Sequence, residues 1–170
     1  WYWYIPLFLL MWGILVFVSW LVKKMPLITG GGIPQTRGVI NGRVEYKHPL
    51  IELVSKFVGG ILALSTGLSL GREGPSVQIG SYVGCLVSKW GRVLAGERKQ
   101  LLSAGAGAGL AAAFAAPLAS SLLVIESIER FDAPKTAITT LLAGVVAGGV
   151  ASWLFPINPY FQIDAIVPGM

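Results

Sequence analysis

Two short stretches rich in glycine and proline have the composition of an anion-binding turn. Residues 30–34 read GGGIP and residues 71–75 read GREGP. We expect helices to begin at Pro34 and Pro75, because proline at the first helical position lacks only an N–H that would have no intrahelical partner. The glycines before them let a ligand approach the backbone closely. Two helix N-termini, each carrying about half a positive charge, would together hold a small anion with the moderate affinity that conduction needs.

Glu73 is the residue of the second stretch whose chemistry points to a gate. It lies between apolar runs over residues 57–71 and 74–88. In water the simplest interpretation would be an acidic residue that stabilises a helix N-terminus. At membrane depth an ionisable group indicates a functional site. An ionised Glu73 would compete with an anion for the same N–H groups, and its protonation would release the site. Arg72 is either a countercharge to Glu73 or a source of positive potential at the entrance, and the sequence leaves both open.

The rest of the chain has the composition of an integral membrane protein. Of its 170 residues, 54% are hydrophobic and only 12% are charged, against about 25% charged in soluble domains. Residues 1–22, 100–125 and 136–163 contain no charge, and each run exceeds the roughly 20 residues that cross a bilayer. This pattern excludes a water-soluble enzyme, a disordered tail and a disulfide-stapled domain. Cys85 is the only cysteine and His48 the only histidine, so neither a thiolate metal site nor a Ser/His/Asp set is predicted.

The net charge of +5 lies mainly in two polar gaps, at residues 23–56 and 89–99. Basic residues beside membrane spans face the cytoplasm and anionic lipid headgroups. We therefore expect the lipid bilayer as a partner, and neither nucleic acid, a metal nor a cofactor. Because both gaps are basic, the orientation of the chain in the membrane stays open.

Helices are predicted over residues 4–22, 50–70, 75–90, 101–116, 117–128 and 135–155, with an irregular tail over residues 156–170. Residues 36–49 are the most polar stretch and should reach water. Helices broken by glycine and proline are tolerated in a membrane only where the freed backbone is buried in protein or lines a polar cavity. Small residues four positions apart predict close helix packing. These pairs are Gly67/Gly71, Gly80/Gly84, Gly105/Gly109 and Gly144/Gly148.

The order of these stretches resembles the CLC family of chloride channels and chloride/proton antiporters. GREGP resembles the family signature, GGGIP resembles its GSGIP loop, and residues 102–126 are similar to the stretch between the gate and the internal proton site. The resemblance implies an all-helical, polytopic, inverted-repeat fold with broken helices. Residues 1–170 would form the first repeat without its opening helix and with no soluble domain, and the second half of the membrane domain would be a partner. It also implies a homodimer with a separate path in each subunit, a multi-pass location in the plasma membrane and no enzymatic activity.

By this resemblance Glu73 is the gating and proton-accepting residue. Two departures from the family pattern matter. The pore serine of the family falls on Gly31, so a hydroxyl that would coordinate the anion is missing, and other branches altered here carry nitrate or fluoride. The internal proton-transfer glutamate falls on Ser127, which cannot exchange a proton at useful pH. The resemblance places Gly32, Ile33, Arg72 and Gly74 around the ion path. With the rest of the two helix starts, the predicted anion-binding residues are Gly30, Gly31, Gly32, Ile33, Pro34, Arg72, Gly74 and Pro75.

Glu126 is the candidate substitute for the missing proton-transfer glutamate. In a helix, however, it would point about 100° away from Ser127. The alternative is a helix-end acid beside Arg130. We therefore expect small-anion transport, of chloride above all, by a channel-like or weakly proton-coupled mechanism, and no conduction by residues 1–170 alone. Fluoride/proton or other anion antiport is the alternative, and a non-transporting membrane subunit in which Glu73 only caps a helix is the distant one.

Overall fold

The computed structural model of the chain describes residues 3–129 and 134–155, and every regular element in those residues is helical. The predicted tail of residues 156–170, and Arg130 with it, lie outside the described residues. The elements are α1 (Tyr4–Lys24), a 3₁₀ turn (Pro26–Ile28), α2 (Ile33–Ile40), α3 (Pro49–Ser65), α4 (Glu73–Trp90), α5 (Ala95–Phe114), α6 (Pro117–Val124), a π-helical turn (Ile125–Glu129) and α7 (Pro134–Leu154).

Two helices of the described residues, α1 and α7, are long and apolar enough to cross a bilayer. Each has 21 residues, or about 30 Å at 1.5 Å per residue. No residue of α1 is buried. It ends at Lys23 and Lys24, and Nζ of Lys24 lies 4.1 Å above the Trp20 ring. This pairing of an aromatic ring with a cation at a helix end is typical of the membrane–water interface.

The helix α3 has its polar side inside and its apolar side outside. Its buried stripe is Pro49, Glu52, Lys56, Gly59 and Ala63, at the three- and four-residue spacing of one helix face. The large side chains between them are exposed, among them Ile51, Val54, Phe57, Val58 and Ile61. In water this arrangement would be unfavourable, so it is the packing of a helix whose outer side meets lipid or other apolar protein.

The helix α5 packs against α4 on one side and against α6 and α7 on the other. Glycine makes these contacts possible. A Cβ at Gly80 would overlap the carbonyl oxygen of Gly105, one at Gly109 would overlap that of Ser76, and one at Gly144 would overlap the Ser121 hydroxyl. The prediction of close packing is therefore confirmed for the pairs 80/84, 105/109 and 144/148. It is wrong for Gly67/Gly71, because nothing lies within 4 Å of a Cβ at either position.

Several boundaries differ from the predicted ones. The helix α3 ends at Ser65 rather than at residue 70, because Gly67 adopts a φ of +77°, a left-handed conformation that closes helices. Part of the stretch predicted to reach water is instead helical, and Thr36, Val39 and Ile40 in it are buried. The helix α5 begins at Ala95, six residues before the prediction, because Glu97 accepts a hydrogen bond from the Leu94 N–H at 3.3 Å. The predicted helix over residues 117–128 is divided into α6 and the π-helical turn.

Candidate functional site

The two glycine-rich stretches contact each other directly. A Cβ at Gly74, in the first turn of α4, would overlap the carbonyl oxygen of Gly31. One turn further along α4, Gln78 lies against Gly32, where a Cβ would come within 2.7 Å of the glutamine Cβ. Gly32 also has a φ of +89°, which side chains with a Cβ rarely adopt. The N-termini of α2 and α4 therefore lie side by side, at a distance that only glycine permits.

Neither proline is the first residue of its helix, contrary to expectation. The helix α2 begins at Ile33, so Pro34 is its second residue, and α4 begins at Glu73, so Pro75 is its third. The reason is local: Gly32 and Arg72 already accept the first intrahelical hydrogen bonds. Those bonds come from Thr36 N–H at 2.9 Å and from Ser76 N–H at 3.1 Å. In each helix, the N–H groups before Thr36 and Ser76 have no intrahelical acceptor. Proline has no N–H group, so Pro34 and Pro75 leave no donor unpaired.

The Gly30 turn is held from behind by a buried lysine. The side chain of Lys56, only 5% exposed, donates to the carbonyl oxygens of Ile28 at 2.8 Å and Gly30 at 2.6 Å. These bonds turn the carbonyl groups toward α3. They also place a positive charge directly behind the N-terminus of α2, where it adds to the helix dipole.

A cavity of about 340 Å³ borders the contact between the two turns. Gly30, Gly31, Gly71, Pro75 and Lys56 line it on one side, and apolar residues of α1 such as Leu21 line the other. Around the contact, Gly31, Pro34, Arg72 and Glu73 are exposed, whereas Gly32 and Gly74 are buried. Within residues 3–129 and 134–155, Glu73 makes no ion pair. Its carboxyl group stands at the exposed edge where the two helix N-termini meet.

Residues 14–168 match the sequence profile of the voltage gated chloride channel family. The chain belongs to this family. The resemblance of the GGGIP and GREGP stretches to the CLC family is thereby confirmed, and with it the assignment of the chain as an integral membrane protein.

Curated relatives of this CLC chain are named H⁺/Cl⁻ exchange transporter ClcA. The protein of Citrobacter koseri is 39% identical over 157 residues, which cover 88% of this chain and 32% of the relative. The protein of Vibrio cholerae is 37% identical over 154 residues, which cover 86% of this chain and 33% of the relative. The chain therefore spans about a third of the length of these relatives. They are transporters rather than enzymes.

A solved structure of a slow cyanobacterial Cl⁻/H⁺ antiporter has the same arrangement of helices. It superposes with a TM-score of 0.87 at 29% identity, covering 95% of this chain and 39% of that one. The predicted all-helical fold with broken helices is confirmed as part of the CLC fold.

Glu126 and Ser127 lie on the π-helical turn of this CLC chain, and their side chains are exposed. Their neighbours Ile125 and Ile128 are buried in the core instead. The turn packs against α2 and α5, and neither Glu126 nor Ser127 lines the cavity beside the two turns. The expected angle between them assumed an α-helix, whereas a π-helical turn is wider and often occurs at functional sites. Arg130, the alternative partner of Glu126, lies outside the described residues.

A line of buried polar side chains runs from the Gly32 turn along α4. The Nε2 group of Gln78 donates to the carbonyl oxygen of Leu27 at 2.7 Å and to the hydroxyl of Tyr82 at 3.1 Å. The ring of Tyr82 packs on that of Tyr46, with centroids 4.3 Å apart. The hydroxyl of Tyr46 is 3.4 Å from that of Thr36. Apart from Leu27, each of these residues is at most 1% exposed.

Neither Lys56 nor Gln78 was predicted as a site residue. Lys56 follows Glu52 by four residues and precedes Gly59 by three, so the three lie on one face of a mostly apolar helix. Such an ionisable residue in a membrane segment is a candidate functional residue. For Gln78 the sequence contains no comparable signal, since a single glutamine one turn after GREGP is equally compatible with an exposed position.

At the aqueous end of this CLC chain, the loop between α2 and α3 is fastened to α5 by an exposed ion pair. Nη1 of Arg98 lies 2.8 Å from Oε1 of Glu45. The hydrogen bond and charge of the guanidinium hold the pKa of the Glu45 carboxyl below its usual range. His48, in the same loop, has an exposed side chain, as predicted for a solvated loop residue.

Proposed function

We propose that the whole protein containing this chain transports small anions, chloride above all, along a path bordered by the two glycine-rich turns and gated by Glu73. The observation that supports this most strongly is the contact between Gly31 and Gly74. It brings two helix N-termini to one place next to a carboxyl group at an exposed edge. The names of the relatives, which are H⁺/Cl⁻ exchange transporters, support the same class of substrate.

The proposed mechanism uses the competition between a carboxylate and an anion. The unpaired N–H groups at the starts of α2 and α4 bind one negative charge well, whether it belongs to Glu73 or to chloride. Protonation of Glu73 removes its charge, and the site then accepts the anion. Lys56 adds positive potential from behind the Gly30 turn but does not face the exposed edge as a free cation would. Binding therefore stays moderate, as conduction requires.

Proton coupling is proposed to be weak. Glu73 can carry a proton at one end of the path, but Ser127 stands where the resemblance places the family's second glutamate. Glu126 is exposed and would have to receive protons through water. The proposal thus includes chloride movement that is only loosely tied to proton movement.

The test uses the whole protein in liposomes under a chloride gradient, with a pH electrode in the outer solution. We expect chloride flux accompanied by fewer protons than a tightly coupled exchanger would move, and a strong dependence of the flux on pH. Replacement of Glu73 by Gln should abolish the proton movement and most of the pH dependence. If Glu73→Gln leaves both unchanged, Glu73 only caps the helix and another group is the gate. Absence of chloride flux from both proteins would instead indicate a non-transporting subunit.

Fluoride transport is the second candidate, and Gly31 is the observation that favours it. The turn lacks the hydroxyl that the family's serine supplies, and nothing lies within 4 Å of a Cβ at this position. Gly31 also has no positive φ, so a serine fits without strain. We expect Gly31→Ser to raise the preference for chloride over fluoride in a paired efflux assay. Equal preference before and after the substitution would argue against a role for this position in selectivity.

The proposal extends to assembly and location. A homodimer with one anion path in each subunit, placed in the plasma membrane, follows from the family resemblance. Cross-linking of the whole protein in native membranes, followed by measurement of its mass, tests the dimer.

A further inference from the structure

Glu52, in the first turn of α3, is a buried carboxyl group without a cationic partner. Its residue is only 6% exposed. Oε1 accepts a hydrogen bond from the His48 backbone N–H at 3.3 Å. Oε2 is buried and has no hydrogen-bond partner in the described residues. A buried polar atom without a partner costs free energy, and most such atoms in proteins have a structural or functional reason.

The nearest lysine along the helix does not neutralise Glu52. Lys56 follows one turn later, at the spacing that favours an ion pair. Its ammonium group is instead bonded to the carbonyl oxygens of Ile28 and Gly30. In residues 3–129 and 134–155, the ion pair with nitrogen and oxygen within 4 Å is that between Arg98 and Glu45, so Glu52 is in no such pair. A carboxylate buried without a cation is costly, and accepting a proton is the usual way in which such a group avoids the cost.

Glu52 lies near the line of buried polar side chains that leads to the anion turns. Its charge acts on Tyr46 and Tyr82, although no hydrogen bond joins it to either tyrosine in the described residues. Tyr82 accepts the hydrogen bond from Gln78, and Gln78 packs against Gly32. The Oε1 atom of Gln78 is itself buried and has no hydrogen-bond partner in the part of the chain that the structure describes. The loop residues Lys47 and His48 are exposed to solvent. Because the backbone N–H of His48 is bonded to the Glu52 carboxyl group, water reaches the residue next to that group.

From this geometry we infer that Glu52 is a second proton-binding site, which exchanges protons with water at the loop between α2 and α3. Protonation turns its carboxyl group from an acceptor only into a donor as well. It also removes a charge that acts on Tyr82, whose hydrogen-bond partner Gln78 packs against Gly32 in the anion turn. The inference rests on the proposed function and deepens it. Glu52 would supply the proton-binding carboxyl group that Ser127 lacks.

Two ionisable groups are close enough for the charge of Glu52 to act on them, Tyr46 in the loop and Tyr82 on α4. His48 contributes its backbone N–H, and its side chain is exposed. Lys56 lies one turn along α3. The ionisable residues described on α1, which are Tyr4, Lys23 and Lys24, are exposed. A pH-dependent change at this site should therefore depend on Glu52 and be modified by the two tyrosines.

The first experiment detects the proton directly, by infrared difference spectra of the whole protein in lipid at acid and alkaline pH. It is done in the Glu73→Gln background, so that the gating carboxyl does not contribute. We expect a protonated-carboxyl band that disappears when Glu52→Gln is added and remains when the exposed Glu45 is replaced by Gln. Identical spectra with and without Glu52→Gln overturn the inference. If Glu52→Gln fails to fold, Glu52→Asp keeps the carboxyl, and an unchanged titration midpoint of the band then overturns the inference.

The second experiment connects the site to transport. In liposomes, Glu52→Gln should lower the number of protons moved per chloride by about tenfold or more, the scale of a lost proton-transfer group, while chloride flux falls much less. Equal loss of both, or loss of neither, contradicts the inferred role in coupling. If the unaltered protein moves no protons with chloride, the proposed proton coupling fails, but the infrared measurement still decides whether Glu52 binds a proton.

Discussion

Glycine serves two different purposes in the two regions of this chain. In the first region, from the 3₁₀ turn to the first turn of α4, glycines bare the backbone at helix N-termini and let two turns meet. In the second region, formed by α5, α6 and α7 with the rest of α4, glycines bring the backbones of whole helices into contact. The first region also contains buried charged side chains, Glu52 and Lys56, whereas the buried polar side chains described in the second, Gln78 among them, are uncharged.

The difference teaches which glycines should matter for folding and which for transport. A contact between helix backbones is part of the packing that holds the chain together, and it has no cheap adjustment. The contact of Gly74 with the Gly31 carbonyl group is as close, but it joins the start of one helix to a short turn rather than two whole helices. Substitutions in the two regions should therefore affect different measurements.

Gly105→Val should have the largest effect, because it forces apart α4 and α5. Its Cβ would overlap the carbonyl oxygen of Gly80 and come within 3.1 Å of the Gly84 nitrogen. Overpacking of this kind typically costs about 1–3 kcal/mol, and more where backbone must move. We expect the loss of monodisperse protein in size-exclusion chromatography. Gly149→Val is the matched control, since nothing lies within 4 Å of a Cβ there. Similar behaviour of the two variants would contradict the packing role.

Gly74→Ala should affect transport more than folding. The added methyl group would push the start of α4 away from the Gly31 turn, and misplacements of about 1 Å in a site can reduce rates by up to about 100-fold. We expect chloride flux to fall by about tenfold or more, with a fall in the melting temperature that is smaller than that of Gly105→Val. Gly96→Ala, in the open first turn of α5, is the control. A Gly74→Ala protein with unchanged flux would show that the contact between the turns is dispensable.

Lys56→Met should have an intermediate effect in both measurements. The carbonyl oxygens of Ile28 and Gly30 would lose a buried donor, at a cost of about 1–3 kcal/mol for each group left unpaired. We expect a lower melting temperature and weaker chloride binding in calorimetry, because the positive charge behind the turn is also lost. The exposed Lys47→Met is the control. If the two variants bind chloride equally, Lys56 supports the turn but contributes nothing to the site.

Glu45→Gln should have the smallest effect, since its ion pair with Arg98 is exposed and such pairs contribute little. The pKa of Glu45 is lowered in the folded protein. The pair therefore stabilises the protein above the ordinary glutamate pKa, and this contribution is lost as the pH falls through the lowered value. The melting temperatures of the variant and the unaltered protein should differ slightly at neutral pH and converge in acid. A difference that grows in acid would contradict this account.

The helical class, the membrane location and the two turns could be predicted from sequence because each rests on a local pattern. Apolar runs and the placement of glycine next to proline are readable without knowing what packs where. The end of α3 at Ser65 was missed because Gly67 was read as a packing residue rather than as a left-handed helix end. The burial of Thr36 was missed because a polar stretch was assigned to water before its partner Tyr46 was known.

The polar side chains behind the turns could not be predicted for a different reason. Lys56 and Gln78 donate hydrogen bonds to backbone carbonyl groups that lie 26 to 51 positions away in the chain. A single sequence contains no record of such pairing. The spacing of apolar residues in a sequence predicts which face of a helix is buried. In a membrane helix such as α3 the polar face is buried instead, so that prediction is reversed.

The central claim is that the two glycine-rich turns together bind the anion, and the most direct measurement locates that anion. Crystals of the whole protein with Glu73→Gln, soaked in bromide, would show the ion by anomalous diffraction. The account predicts a peak within hydrogen-bonding distance of the backbone N–H groups at the starts of α2 and α4, next to the position of Glu73. An anion peak elsewhere in the protein, with none at these N-termini, would contradict it.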